Sequence, residues 1–400
     1  MNILFLTLID MTSIHDKGIY QDLLRQFVKA GHRVYVASPS ERRTGQPTRM
    51  LDGGCKILKV KIGNVQKTNL IEKGISTVLM ESQFKAAIAK YLADVKFDLV
   101  MYSTPPITFA NVVAYIKKRD GAKSYLLLKD IFPQNAVDMG MMRPTGLKAP
   151  LYWFFRKKEE KLYRESDYIG CMSGANVDFV VKHNPKVDPA KVEICPNSIE
   201  AQDMSVSEAV REELRRKYDI PLDKKVFVYG GNLGRPQGIP FLIRCLQSQK
   251  DNPDAFFLVV GSGTEYGALA RFVETEKPAN VKLMSRLPKE DYDRLVAACD
   301  VGMIFLDHRF TIPNFPSRLL SYMQAKLPVL ACTDPNTDVG AVAVKGGFGW
   351  WCESNSTEGF DTCVKEACEA ALPEMGQAGF DYLLDNYQAS QGYETILSHF

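Results

Sequence analysis

Short apolar runs recur along the whole chain, each separated from the next by a longer amphipathic stretch. In the first half the runs fall at 2–9, 33–37, 57–62, 97–102, 124–128 and 168–172; in the second they fall at 225–229, 255–260, 281–284, 301–305 and 328–331. They are rich in β-branched and aromatic residues and nearly continuous in hydrophobicity, as strands covered on both faces must be. Between them, apolar positions three and four apart predict helices over 18–30, 76–93, 107–119 and 147–165, then over 239–249, 265–276, 289–299, 316–325 and 358–371. Such alternation predicts an α/β protein with parallel sheets.

The alternation stops and restarts near Pro196-Asn197-Ser198-Ile199-Glu200, where a charged helix over 207–218 and Pro221 precede a fresh apolar run. Two doubly wound, Rossmann-like domains facing each other across a cleft are therefore expected. The first covers 1–198, the second 199–379, and a closing amphipathic helix covers 380–400. That last helix either packs back on the first domain or stays with the second. No internal repeat or low-complexity tract interrupts the scheme.

Composition changes this picture little. With 400 residues, 46% hydrophobic and 24% charged, the chain can bury two large cores. No run reaches the roughly 18–20 apolar residues of a spanning helix. The N-terminal run is too short for one, and lacks the basic start and cleavage site of a signal peptide, so a cytoplasmic protein is expected. Nine scattered cysteines, none in a Cys-x-x-Cys pair, read as reduced thiols, and the five histidines form no spaced set with them, so no metal is expected.

Charge is more informative in its distribution than in its net +3. Residues 1–200 hold 30 Lys and Arg against 20 Asp and Glu, whereas residues 201–400 hold 20 against 27. A basic first half suits an anionic ligand or membrane surface, or is simply a solvated face. The segment Leu151-Tyr152-Trp153-Phe154-Phe155-Arg156-Lys157-Lys158 sharpens the membrane reading, although a helix with one core face gives the same pattern. The basic residues are dispersed and carry no recognition motif, so nucleic acid is excluded as a partner.

Three loops carry chemistry. Tyr229-Gly230-Gly231-Asn232-Leu233-Gly234-Arg235-Pro236-Gln237-Gly238 joins a strand to a helix, where glycines let backbone N–H groups approach phosphate oxygens. Arg235 supplies charge there, and Asn232 and Gln237 supply neutral donors. Gly261-Ser262-Gly263 follows the next strand, at the edge where doubly wound folds bind ligands, without the third glycine of a dinucleotide fingerprint. Asn314-Phe315-Pro316-Ser317-Arg318 opens a helix whose free N–H groups, with Arg318, suit a diphosphate; ordinary capping of a core helix explains the same residues.

These loops, in this order, resemble the donor domain of retaining glycosyltransferases of family 4, and the likeness includes the strand opening at Asp300-Val301 and Tyr322-Met323-x-Ala325. The first half is similar as well, in Gly18-Ile19-Tyr20-x-Asp22-Leu23-Leu24, Gly31-His32-x-Val34 and Asp130-Ile131-Phe132-Pro133-Gln134. The closest resemblance is to members that assemble capsular or O-antigen polysaccharides. It implies the GT-B fold, retention at the anomeric carbon, no metal or cofactor, a nucleotide-sugar donor (UDP-linked) and a saccharide acceptor carried on a lipid.

Carried over residue by residue, the resemblance implies donor binding by Gly231, Asn232, Gln237, Gly238, Gly261, Gly263, Asn314, Phe315, Pro316, Ser317 and Ser321. It implies acceptor binding by Gly18, Tyr20 and Lys129, and catalysis by Asp130, Arg235 and Arg318. The family's two carboxylates would fall at Pro313 and Ser321, the basic pair of its glycine loop is replaced, and its His-Asp reads Lys129-Asp130. The sole Asp-x-Asp, Asp291-Tyr292-Asp293, lies inside a predicted helix, not in a metal-holding loop. Two rivals follow from the departures. One is a nucleotide-sugar 2-epimerase using His15, Asp16, Asp307 and His308; the other is an inactive nucleotide-sugar-binding subunit.

Overall fold

The computed structural model describes residues 1–65 and 70–400 and divides into two units, the first comprising Met1–Glu200 with Ala389–Phe400, the second Ala201–Gln388. In the first unit the chain runs β1 (Asn2–Leu6), α1 (Ile19–Lys29), β2 (Arg33–Glu41), β3 (Arg49–Asp52), β4 (Lys56–Ile62), α2 (Leu70–Tyr91) and β5 (Leu99–Ser103). It continues through α3 (Ala110–Asp120), β6 (Lys123–Leu128), α4 (Gln134–Asp138), α5 (Ala149–Glu165), β7 (Tyr168–Cys171), α6 (Gly174–His183) and β8 (Val192–Ile194). The strands order as β3-β4-β2-β1-β5-β6-β7-β8, all parallel except β3, which pairs antiparallel on the edge. Leu99-Val100-Met101-Tyr102-Ser103 is buried throughout, as a central parallel strand requires.

The second unit begins with α7 (Glu208–Lys217) and continues through β9 (Lys225–Asn232), α8 (Ile239–Ser248), β10 (Ala255–Ser262), α9 (Tyr266–Glu276), β11 (Val281–Ser285) and α10 (Lys289–Ala297). Beyond these come β12 (Val301–Phe305), α11 (Arg318–Gln324), β13 (Val329–Thr333), α12 (Val339–Lys345), β14 (Gly349–Glu353), α13 (Thr357–Glu369) and α14 (Leu372–Asn386). Its sheet is fully parallel with order β11-β10-β9-β12-β13-β14, so the winding reverses direction beside β9. A crevice at the carboxyl ends of the strands is expected at that reversal. Phe227, Phe257, Met303, Phe305 and Phe360 form the core under it.

Every strand predicted from the apolar runs is present. The three that pattern did not predict are β3, β8 and β14: β3 is a polar edge, β8 has three residues, and β14 starts at a glycine. The single helix expected over 380–400 is instead two elements, α14 and then α15 (Ala389–Leu397), parted at Tyr387. The Tyr387 ring lies against Tyr382 and Phe315 within the second unit. Helix α15 belongs to the first: Tyr393 meets Phe27 edge-on at 4.8 Å, and the His399 ring stacks on Tyr168 at 3.8 Å.

The strand opening at Asp300 shows why that aspartate precedes it. Its buried carboxylate accepts from the Val226 backbone N–H (2.6 Å) and from Arg215 (2.6 Å), and pairs with Arg211, so it bolts α7 to the start of β9. All nine cysteines are free thiols. No described helix is long and apolar enough to cross a membrane.

Candidate functional site

Strand β9 ends at the sheet's reversal point in Tyr229-Gly230-Gly231-Asn232. Gly230 is required by a close approach: a Cβ there would stand 1.8 Å from the Tyr292 hydroxyl, so only glycine lets α10 lay Tyr292 across the strand. On β12 a Cβ at Gly302 would fall 2.3 Å from the Tyr322 ring. The Tyr322 hydroxyl donates to the carbonyl oxygens of Val228 (3.2 Å) and Met303 (3.1 Å), which fixes its ring between the two strands. Tyr229 completes the group and donates to the Asn232 carbonyl at 3.0 Å.

Arg318, the first residue of α11, enters this group of phenols. Its guanidinium carbon lies 4.4 Å from the centre of the Tyr229 ring, a cation–π contact in a desolvated setting. Its Nη1 is shut off from solvent with no hydrogen-bond partner among the described residues. No carboxylate pairs with it among those residues either. Burial pushes the Tyr322 phenol up to about 12, so Tyr322 stays neutral and Arg318 keeps its charge uncompensated. A half-buried cation held this way favours an anion beside it.

Gly231 leaves the approach to Arg318 open. Its φ of 117° is open to glycine, and a Cβ there would stand 3.6 Å from Arg318 Nη2. Beside it a cavity of about 470 Å³ opens at the carboxyl ends of β9, β10 and β11. Gly231, Asn232, Gly261, Tyr292 and Ser321 form part of its wall, so the sequence-predicted glycine loop and Ser321 do converge. The rest of the wall was not anticipated: Ser262, Arg286, Lys289 and Asp293 line it too. Lys289 and Asp293 are ion-paired at 2.8 Å, one turn apart on α10. The signal for these was available in the Asp-x-Asp of a predicted helix, but a helix position does not reveal which strand end it overlooks.

Several of the predicted donor residues also brace the turn after β9. A Cβ at Gly261 would fall 2.1 Å from the Gly231 carbonyl oxygen, and one at Gly263 2.3 Å from that of Leu233, so this pair makes room for the turn after β9. Asn232 donates to Gln237 Oε1 at 3.0 Å, and the same oxygen accepts from the Gly234 N–H at 3.2 Å. Gly238 takes a left-handed φ of 58° and opens α8. Arg235 projects away: its side chain is 69% exposed, faces Glu265 at 3.7 Å, and is absent from the cavity wall.

The helix expected from Pro316 begins two residues later. Ser317 is its N-cap, without a side-chain cap bond, and α11 has seven residues. Its dipole is correspondingly short, and Arg318 rather than the helix tip carries the charge. Phe315 packs near Tyr387 at 6.2 Å, and the Asn314 carbonyl accepts from Thr337. Asn314 Nδ2 is buried without a partner among the described residues.

In the first unit, the loop after β6 holds Asp130. The backbone N–H groups of Lys129 and Asp130 both donate to Thr104 Oγ1, at 2.9 and 3.1 Å. Asn135 Nδ2 donates to both carboxylate oxygens, at 2.8 and 3.0 Å. Burial pushes the Asp130 carboxyl up to about 6, against the pull of Asn135, which places it in the range where a proton is exchanged near neutrality. Lys129 is turned elsewhere: its ammonium donates to the Cys195 carbonyl at 2.9 Å, and burial lowers its pKa. Tyr20 packs in the core 5.2 Å from Phe5, and Gly18 caps α1 in an extended conformation with its N–H toward Asp22. Of the epimerase set, Asp307 is already held by two bonds from the Arg309 guanidinium, each 2.8 Å.

Comparison with known proteins bears on both units. Residues 20–203 match the family described as Glycosyltransferase Family 4, and residues 210–373 match Glycosyl transferases group 1. The chain is 25% identical over 329 residues to the probable glycosyltransferase WbjE of Pseudomonas aeruginosa, covering 82% of this chain and 80% of that protein. It is 24% identical over 290 residues to the putative colanic acid biosynthesis glycosyl transferase WcaI of Escherichia coli K12, covering 71% and 66%. Among solved structures, Anabaena HepE in complex with UDP-glucose superposes with a TM-score of 0.68 at 14% identity, covering 100% of this chain and 99% of that one. The likeness shows the GT-B fold of two Rossmann-like domains.

Proposed function

The chain belongs to the glycosyltransferases, with a family 4 domain in its first half and a group 1 domain in its second, and on that premise we propose that it transfers a sugar from UDP to a saccharide in surface-polysaccharide synthesis. The reaction retains the anomeric configuration and uses no metal, and the acceptor saccharide is carried on a lipid diphosphate at an anionic membrane. One observation carries the donor half of this reading: the Arg318 guanidinium, which has no carboxylate partner and an unbonded Nη1 among the described residues, is held among Tyr229, Tyr292 and Tyr322 beside the open backbone of Gly231. That arrangement suits the diphosphate of a nucleotide-sugar, whose charge grows as the bond to the sugar breaks. HepE with UDP-glucose supports a uridine nucleotide, and the colanic acid assignment of WcaI supports a polysaccharide product.

In this reading the acceptor oxygen forms a bond to the anomeric carbon as the bond from that carbon to the diphosphate oxygen breaks. The acceptor proton passes to the departing phosphate. Asp130, with its carboxyl near 6, orients and polarises the acceptor hydroxyl. Arg318 stabilises the leaving charge without a metal ion, and Asp293, the carboxylate of the cavity wall, is already neutralised by Lys289. Arg235 joins them only by swinging off its loose contact with Glu265.

The test is a thermal-shift screen of UDP-, GDP- and dTDP-sugars with and without a chelator, since a ligand of the native state raises its melting temperature. A UDP-sugar is expected to stabilise the protein equally in both conditions. Stabilisation by none of them, or only with a divalent ion present, would sink the reading. Retention is read from the anomeric proton of the first transfer product. Binding without turnover over many acceptors would favour the inactive-subunit alternative.

A further inference from the structure

The N-terminal half of α5 is unusual for a helix on the outside of a domain. Leu147 just before it is fully exposed, and Leu151, Trp153 and Phe154 stand about half out of the surface, as does Met141 in the preceding loop. Trp153 Nε1 donates to the Pro144 carbonyl at 3.1 Å, which folds that loop against the helix and makes one platform of the two. Residues 139–158 hold five Lys and Arg and no Asp or Glu. Soluble surfaces rarely group large apolar side chains in this way without a partner.

The patch continues onto α2. Lys158 donates to Glu81 at 3.1 Å and sits 6.0 Å over the Phe154 ring, so Phe154 lies close to the α2 turn carrying exposed Val78 and Leu79. The same contact neutralises Glu81. From Val78 a groove of about 820 Å³ runs between α2 and α3, bearing Lys85 and Lys118, which have no carboxylate partner among the described residues. Helices α2, α3 and α5 all start from the carboxyl edge of the first sheet, where the Asp130 loop also lies.

We infer that this face of α2, α3 and α5 docks on an anionic phospholipid bilayer. The exposed apolar side chains sink to the boundary between headgroups and acyl chains, while Arg143, Lys148, Lys157, Lys85 and Lys118 meet the lipid phosphates. Apolar residues ringed by cations complement an anionic bilayer in a way that a neutral or cationic protein surface does not. The inference rests on the lipid-linked acceptor of the proposed function for its purpose, since it brings the Asp130 loop to the membrane. The binding itself needs neither donor nor acceptor.

Co-sedimentation with phosphatidylcholine vesicles, with and without phosphatidylglycerol, tests it on the full chain. Binding is expected to be at least about tenfold tighter to the anionic vesicles at low salt and to weaken as salt shortens the screening length. The triple variant Leu151→Ser, Trp153→Ser, Phe154→Ser should lose at least about tenfold. Lys148→Glu with Lys157→Glu should lose binding to anionic vesicles alone. A thermal shift with UDP-glucose that matches the parent protein shows that each variant is folded, and its absence in all of them would fault the donor reading and not this one. No binding by the parent at low salt, or full binding by the triple variant, overturns the inference. So does a parent dimer, seen by sedimentation velocity, that the triple variant dissociates, because the face would then be occupied by a second copy.

Discussion

Replacing Asp130 by asparagine should make the folded protein more stable while slowing transfer. The carboxyl is pushed from its ordinary 3.8 up to about 6 because burial disfavours its charge more than Asn135 favours it. Between those two values the folded chain holds a proton that the unfolded chain has released. Stability therefore falls as pH rises from about 4 to about 6, and the full penalty persists above that. Each pKa unit corresponds to about 1.4 kcal/mol, so the penalty approaches about 3 kcal/mol at neutral pH. Residual solvent access to this half-buried side chain reduces it to about 2–3 kcal/mol. An asparagine of the same shape has no charge to bury, and its Oδ1 still accepts from Asn135 Nδ2. Urea unfolding of both proteins from about pH 4 to about pH 8 measures the difference. The variant should gain about 2–3 kcal/mol at the upper end, roughly half of that near pH 5 and almost nothing at the lower end. A gain independent of pH, or a loss at high pH, would refute the argument that Asp130 is held against its solvation. Full transfer rate at saturating donor would separately remove Asp130 from the reaction.

Other perturbations follow from the same geometry. Arg318→Ala should weaken nucleotide binding by about 1.5–3 kcal/mol, the worth of a hydrogen bond to a charged group, and calorimetric titration with UDP reads it directly. Unchanged affinity would remove Arg318 from the phosphate site. Gly230→Ala sets a methyl group against the Tyr292 hydroxyl and should destabilise by about 1–3 kcal/mol, with Tyr292→Ala recovering part of the loss in a double-mutant cycle. Asp300→Ala leaves the buried Arg215 guanidinium without its carboxylate and should cost about 3–5 kcal/mol in urea unfolding, with nucleotide affinity of the remaining folded protein unchanged.

The candidate site was partly legible before any coordinates. Gly231, Gly261 and Ser321, named from the resemblance to family 4 donor domains, do line the cavity. Arg235 could not be separated from Arg318 by sequence: both are arginines on donor-side loops, yet one is exposed beside Glu265 and the other lies among phenols. Tyr20 and Lys129 looked equally available, and only packing turned one into the core and tied the other to Cys195.

What the sequence determined by itself was the order of strands and helices, the restart near residue 200 and the loops where chemistry gathers. These are written in hydrophobic period and in glycine and proline positions, which act over a few residues. What only the tertiary structure decided was which side chains share a cavity and in which charge state. Tyr229, Tyr292 and Tyr322 come from a strand and two helices, brought to Arg318 by the pairing of β9 with β12 and by two glycines that admit the rings. Asp130 likewise owes its raised pKa to the surroundings that the fold closes over it. Desolvation and long-range contact arise from the assembled sheet, and no local pattern encodes them.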